Sequence, residues 1–328
     1  MRHGATEPGT AEAVARLVAE TVGLPVDRVA RMSFGQASVT YQVDAGDVRV
    51  IVRTNTDPSA YAGTVANLDR LRDIGMPVPH VIHADLTCEG LPFAYVMTDV
   101  FPGRDLRYEL ASMTEPQRIA LAERIVGFER QATALPRGDG YGFVPIGAPG
   151  PHRTWPDAIR ADRAAAMTVG DPVSADEPVG AGAGDLVGAG ELAGAGDLMR
   201  AVNDCLAGAE PRLASVEPVC FLDDLTIKNV IVSGGQLQGI VDFDVVCYGD
   251  PMYWLALTQV AVLSDIGVAG QSYVDELVRL WGPSDVERAN LALYCAVHAI
   301  AFLGWDTADA QRRQRLVDAT QGWLAASQ

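Results

Sequence analysis

Along the first hundred residues the spacing of hydrophobic positions changes period twice, and those changes lay out the elements. Val14, Leu17, Val18 and Val22 recur at three- and four-residue steps, which predicts an amphipathic helix over residues 11–22. Residues 38–43 and 48–53 then alternate with period two around Ala45-Gly46-Asp47, a hairpin pattern with turn chemistry at its centre. Asp57 can cap and Pro58 can open the next helix, whose inward face is Tyr61, Val65, Leu68 and Leu71. Pro77 and Pro79 stop it. Two short strand patterns, over 81–84 and 93–97, complete a small β-rich lobe.

After Gly103 the periodicity is mostly helical. Helices are predicted over 114–135, 155–167, 252–263, 273–281, 284–303 and 307–324, and strands are confined to 219–222, 230–233 and 237–241. In the helix over 284–303, Leu293, Val297 and Ile300 form with Gly304 one stripe of the kind a buried helix carries. The expected fold class is therefore α+β with two lobes: a small N-terminal antiparallel-sheet lobe over 1–98 and a larger, mainly helical C-terminal lobe over 99–328. One stretch departs from this order. From Gly182 the chain reads GAGDLV, GAGELA, GAGDLM after an acidic, proline-bearing run. Its glycine spacing imitates a dinucleotide-binding turn but lacks the strand that must precede one, so residues 168–198 are expected to be a flexible Gly/Ala/Asp-rich insertion. Its carboxylates leave open a loose acidic flap over a cationic ligand.

Composition narrows the partners. Of 328 residues 48% are hydrophobic, ample for a sizeable core, and 42 acidic against 25 basic residues leave a net charge of −17. With no basic stripe to displace the counterions of a polyanion, nucleic acid is excluded as a partner. The acidity suits a cationic ligand and equally keeps a chain soluble. Cys88, Cys205, Cys220, Cys247 and Cys295 show no metal-ligand spacing and no disulfide framework, which points to a reducing compartment. The polar N-terminus carries no secretory signal, and the longest apolar stretch, 291–304, falls short of the ~18 residues of a membrane span, so a cytoplasmic protein with no membrane partner is expected. No obligate protein partner is evident. Every basic residue but one is arginine. The exception is Lys228.

The informative stretch is CFLDDLTIKNVIVSGGQLQGIVDFDVVCYGDP, residues 220–251. An Asp followed five residues later by Asn, leading into a hairpin whose second strand ends in another Asp, outlines a phosphoryl-transfer site. Magnesium takes hard oxygen ligands, so the amide of Asn229 and the carboxylate of Asp242 make a natural pair. Asp224 can then orient an attacking hydroxyl and accept its proton. Lys228, beside Asn229, is either a compact charge that neutralises γ-phosphate or a solvated residue on a turn. Asp244 either assists at the metal or is a solvated carboxylate. Asp250 and Pro251 read as a helix cap and first-turn residue.

These residues carry a resemblance to the aminoglycoside phosphotransferase family, which has a protein-kinase-like fold, with hygromycin-type kinases among the closer layouts. The family pattern is His-x-Asp, four residues, Asn, then an Ile-Asp pair and Gly-Asp-Pro opening a helix. Asp224, Asn229, Val241-Asp242 and Gly249-Asp250-Pro251 follow it in order and spacing. The resemblance implies a phosphate loop over 35–41 with Gly35, Gln36 and Ser38 at the nucleotide. It also implies Arg53 on the α and β phosphates, and a hinge over 96–103 with the Asp99 to Phe101 backbone at the purine. ATP or GTP with Mg2+ would serve as cofactors, the nucleotide lying between the lobes. The implied activity is transfer of the γ-phosphoryl group to a hydroxyl of an aminoglycoside-type antibiotic, a small cationic substrate, with Asp223 and carboxylates of the helical lobe as contacts. The sequence departs from the pattern in four places: Leu222 stands at the histidine, Asp223 at the following glycine, Arg53 at the strand lysine, and Thr64 at the glutamate that normally pairs with it. Asp69 is the one acid expected on that helix, so Arg53 has no assigned partner. Another hydroxylated metabolite as acceptor, or a catalytically silent nucleotide binder, remain the alternatives.

Overall fold

A computed structural model of the chain describes residues 10–32, 38–169, 189–305 and 309–328. Helix α1 (Thr10–Val22) is followed by strands β1 (Arg28–Arg31), β2 (Val39–Ala45) and β3 (Val48–Asn55), a 3-10 turn over Pro58–Tyr61, α2 (Thr64–Asp73), β4 (Val81–Asp85) and β5 (Ala94–Thr98). β6 (Arg104–Asp105), α3 (Glu115–Thr133), β7 (Gly142–Val144), α4 (Trp155–Val169), α5 (Ala189–Gly208), α6 (Glu210–Leu213) and β8 (Val219–Phe221) come next. The chain continues through β9 (Val230–Ser233), β10 (Gln236–Ile240) and β11 (Val246–Gly249) to α7 (Met252–Asp265), α8 (Gln271–Trp281), α9 (Asp285–Trp305) and α10 (Ala310–Ala326). The mixed α+β class expected from periodicity is the one observed.

The chain divides into two compact units. The first comprises Met1–Leu106, Val144–Ala148 and Asn229–Val246, and the second Arg107–Phe143, Pro149–Lys228 and Cys247–Gln328. The hairpin segment 229–246 thus groups with the N-terminal sheet rather than with the C-terminal helices to which 99–328 had been assigned. The backbone says why. The Ile240 amide donates to the Pro77 carbonyl at 2.9 Å, β6 pairs with β9, and the Phe101 ring sits against Gly239 where any side chain would collide.

In the first unit the sheet runs β1-β2-β3-β5-β4, antiparallel throughout. Ala45 opposes Val48 across a two-residue turn in which Gly46 takes φ +57°, a conformation that favours glycine. Alternation sends Tyr41, Val43, Val50 and Val52 to one face, where they pack with Val14 and Val18 of α1. The other face holds Ala94 and Val96 with Tyr61, and Arg53, paired in register with Val96, follows it there. Each fully buried aliphatic side chain stabilises by about 1.5–3 kcal/mol.

The helix expected to open at Pro58 is broken in two. Asp57 accepts from the Ser59 amide at 2.9 Å and caps only a 3-10 turn, and the helix restarts after Gly63. An added Cβ on Gly63 would lie 2.5 Å from Pro145 Cγ and 2.8 Å from the Asp244 carbonyl oxygen, so the chain passes there only as glycine. α2 ends in Asp73, a second acid on a helix expected to hold only Asp69, and Asn67 is buried where Val65 was expected to be.

In the second unit the short sheet β7-β11-β8 accompanies the helices. Asp250 organises it from below the surface. Its carboxylate accepts from the Met252 amide at 3.0 Å, from Asn290 at 2.9 Å and from the Tyr294 hydroxyl at 3.0 Å, joining the start of α7 to α9. α7 begins at Met252, so Pro251 is its cap residue and not its first-turn residue. The Trp155 indole donates to the Tyr294 oxygen at 2.8 Å. α9 is long and apolar enough to cross a membrane, but residues 290–303 are almost all buried against neighbouring helices, as in a core helix. The expected flexible insertion is corrected at both ends. Residues 168–169 finish α4, and residues 189–198 open α5, which Leu198, Val202 and Leu206 anchor at helical spacing. The rest of it, including most of the expected acidic flap, lies outside the described residues.

Two consequences can be measured. Gly249 faces the Trp155 ring so closely that a Cβ would overlap it. Gly249→Ala should cost about 1–3 kcal/mol in urea unfolding. His298, buried on α9 and hydrogen-bonded to the Tyr253 carbonyl at 3.2 Å, has its pKa lowered from 6.5 to about 4 by burial, against a smaller upward pull from that carbonyl. Its neutral form is therefore part of the native state, and the stability it contributes above pH 6.5 drains away as pH falls toward 4. Thermal melts of His298→Phe should show a shallower acid limb across that window.

Candidate functional site

In the first unit the site is built around a buried cation. Alternation on β3 turns Arg53 inward beside Tyr61, its guanidinium 5.4 Å from the ring centroid. Its two terminal nitrogens fork onto Asp244 at 2.8 and 2.6 Å, and one of them also meets Asp242 at 3.0 Å. Only 19% of the Arg53 side chain is exposed. Burial by itself would lower its pKa, but the charges of Asp242 and Asp244 outweigh burial and raise it, so the guanidinium stays charged at every accessible pH. Burial pushes the Tyr61 phenol up to about 12, with Ser38 and Arg53 pulling the other way.

Asp244 is thus the partner of Arg53 that α2 does not supply. Thr64, at the position expected to hold glutamate, supports the pair by donating its hydroxyl to Asp244 at 2.7 Å. Asn67 donates to the main-chain oxygens of Phe243 at 3.1 Å and Asp244 at 2.9 Å, and accepts from the Ile146 amide at 2.8 Å. Arg70 donates to the Ile146 carbonyl. Asp69 turns outward to Arg72. Of the two roles open for Asp244 in the sequence, the pairing with Arg53 overturns that of a solvated carboxylate.

Asn229 and Asp242 flank the β9–β10 hairpin, one before β9 and the other after β10. The ladder extends one step past Ile240, where the Val241 amide donates to the Asn229 carbonyl at 2.9 Å, and Asp242 follows. Asp242 takes φ +74°, a left-handed conformation that Asp tolerates better than most residues, and keeps 47% of its side chain exposed. Phe243 is buried between the two aspartates. A carboxylate and an amide from adjacent strands form a hard-oxygen donor set that fits magnesium. No cluster of three or more His, Cys, Asp or Glu suited to a metal exists among the described residues.

Of the remaining first-unit positions, Asp99 accepts from the His80 amide at 2.7 Å while its own amide donates to the His80 carbonyl at 3.1 Å, strapping β5 to the start of β4. Phe101 packs on Gly239. Ser38 is described, whereas Gly35 and Gln36 lie outside the described residues.

Asp223, Asp224 and Lys228 belong to the second unit. The turn that carries them is held through its backbone. Leu225 N donates to Leu222 O at 3.2 Å, Thr226 N to Asp224 O at 2.7 Å, Arg107 N to Ile227 O at 3.0 Å, and the Trp254 indole to Leu225 O at 2.9 Å. Asp223 and Asp224 are both partly exposed. The Lys228 ammonium lies 3.3 Å from Asp265 at the end of α7 and 6.0 Å from the Phe302 ring centroid, and 44% of its side chain is exposed. Periodicity gave no sign of Asp162. Its carboxylate, raised in pKa by burial, accepts from the Tyr253 hydroxyl at 2.6 Å. Burial first, and then the charges of Asp223 and Asp162, push up the Cys247 thiol.

The family model for the phosphotransferase enzyme family matches residues 29–294. No curated protein matches the sequence significantly. Among solved structures, aminoglycoside phosphotransferase APH(4)-Ia is similar at TM-score 0.64 and 16% identity, over 97% of this chain and 100% of that one. A thermostable mutant of the same protein, in ternary complex with AMP-PNP and hygromycin B, is similar at TM-score 0.62 and 16% identity, over 96% and 98%. The GDP and kanamycin complex of APH(2'')-IIIa is similar at TM-score 0.63 and 14% identity, over 95% and 98%. At these identities the likeness is one of fold.

The network predicts the behaviour of one substitution. Asp244→Asn leaves a mostly buried guanidinium with half its charge balance. It should lower stability by about 2 kcal/mol in denaturant titration, below the ~3–5 kcal/mol of breaking a fully buried pair, because both side chains keep some solvent. Asp69→Asn, on the surface of the same unit, should change stability by less than about 0.5 kcal/mol.

Proposed function

The chain belongs to the phosphotransferase enzyme family, and from that premise we propose that it is a nucleoside-triphosphate-dependent small-molecule kinase. In this reading it moves a γ-phosphoryl group to a hydroxyl of a polycationic amino sugar of the aminoglycoside type, in the cytoplasm. The observation that carries the reading is the hairpin mouth, where Asn229 precedes β9, Asp242 follows β10, and Arg53 lies 3.0 Å from Asp242.

Asn229 and Asp242 would hold a magnesium ion, which when bound neutralises phosphate charge. Arg53 has five N–H donors, and its contacts with the aspartates take three. The others are left for the α and β phosphates, which a guanidinium binds well because it is planar and always charged. Ser38, with Gly35 and Gln36 before it, would cover the phosphates, and the Asp99 to Phe101 backbone would meet the base, ATP or GTP. Asp224 orients the acceptor hydroxyl and takes its proton. Because phosphoryl transfer is largely dissociative, orientation and charge balance supply most of the rate, and a carboxylate of ordinary basicity suffices.

Charge and the neighbours support this substrate class. Hygromycin B and kanamycin are bound in the similar structures. Asp223 and Asp162 are carboxylates of the second unit that would pair with substrate ammonium groups. Such a modification would confer resistance to the antibiotic.

A coupled ADP-release screen across aminoglycosides and other hydroxylated antibiotics tests the proposal. At least one acceptor should raise turnover well above the basal nucleotidase rate. Asp224→Ala should lower that turnover by about 10²–10⁴-fold, the usual worth of a general base, while nucleotide binding by calorimetry persists. ADP release no faster with any acceptor than in Asp224→Ala would overturn the reading.

A further inference from the structure

The turn bearing Asp224 begins where the β8 ladder ends. Phe221 is the last residue paired with β11, opposite Cys247, so the Leu222 amide leaves the sheet with no strand to receive it. A buried amide must find an acceptor elsewhere. Leu222 is completely buried, and its side chain has no polar atom with which to fasten the turn. The acceptor comes from α3. Glu129 is also completely buried, its Oε2 accepts the Leu222 amide at 3.1 Å, and its Oε1 has no hydrogen-bond partner.

An acid in that position is otherwise hard to account for. Neighbouring positions on the same helix face are Ile125, Val126 and Ala132, and an aliphatic residue would fill the space without desolvating a carboxyl. The one thing glutamate adds is an acceptor directed at Leu222. Trp254 holds the turn at Leu225 and Arg107 holds it at Ile227, while Glu129 takes the Leu222 amide where the turn begins.

We infer that Glu129 is a positioning residue for Asp224, fixing the Leu222 amide and through it the main chain that aims the Asp224 carboxylate. Burial raises the pKa of Glu129 well above the usual carboxylate range, the Leu222 amide pulls the other way, and the charge of Asp223 adds a smaller upward push. Cys220 is a further titratable neighbour, and its own thiol is pushed up to about 12, by burial first and then by Glu129. Glutamine keeps a side-chain carbonyl oxygen that can accept the Leu222 amide, which makes it a faithful substitute. The catalytic half of the inference rests on the phosphotransfer reading above, whereas the fastening of Leu222 does not.

The test compares Glu129→Gln with Glu129→Leu in the full chain, using Glu129→Met should the leucine variant fail to fold. Glu129→Leu should lower kcat at least tenfold with the nucleotide KM within threefold of wild type, and Glu129→Gln should restore kcat to within threefold. Amide hydrogen exchange at Leu222 should quicken at least tenfold in the leucine variant and stay at the wild-type rate in the glutamine variant. Unchanged kcat and unchanged Leu222 exchange in Glu129→Leu would overturn the inference, as would a Glu129→Gln as impaired as Glu129→Leu. Should the wild type turn over no acceptor, the kinase reading fails, and the exchange rates alone still decide whether Glu129 fastens the turn.

Discussion

A guanidinium placed on the inner face of a sheet has to be neutralised, and much of the first unit follows from that requirement. Strand alternation alone sends Arg53 toward Tyr61 and Val96. Once there it needs carboxylates, because an uncompensated buried charge costs several kcal/mol. α2 offers none in reach, so the charge is met by Asp244 and Asp242 from a segment some 190 residues away in sequence. The pairing carries the 229–246 hairpin onto the N-terminal sheet. Thr64, Asn67 and Gly63 then hold its returning strand by hydroxyl, amide and absence of a side chain respectively.

The second unit meets similar demands with neutral and partly neutral groups. Asp250 is buried at the start of α7 and satisfied by Asn290, Tyr294 and the Met252 amide, so one carboxylate joins two core helices. Glu129 does a smaller version of the same task for one amide. Lys228 and Asp265 pair at the surface, where the interaction is weaker and screened by salt. Asp162, half buried, accepts from the Tyr253 hydroxyl, and Asp223 is partly exposed on the turn after β8. In the kinase reading these are the carboxylates that a polycationic acceptor would meet.

Much of the fold was legible in the order of residues. The β2–β3 hairpin was readable because Gly46 sits between two alternating runs, and α1, α3, α7, α8 and α9 because their apolar stripes are long. β1, β6, β7 and β11 were not, because RVAR, RD, GFV and VCYG are too short to show a period and are strands only by virtue of their pairing partners. α5 was hidden by low-complexity composition. Glycine and alanine repeats have no amphipathic signature, and the buried Leu198, Val202 and Leu206 lie at the end of the repeat and beyond it.

For the site, the chain alone determined the identity, order and spacing of the oxygen-bearing residues Asp224, Asn229 and Asp242. Residue types and their spacing are local properties, and local sequence contains them. What only the tertiary structure decided was the pairing of polar groups: Arg53 with Asp244 rather than with a residue on α2, Lys228 with Asp265, and Glu129 with the Leu222 amide. Each joins residues far apart along the chain. Which acid meets which base depends on distance and burial in the folded state, and neither quantity is written in the order of residues.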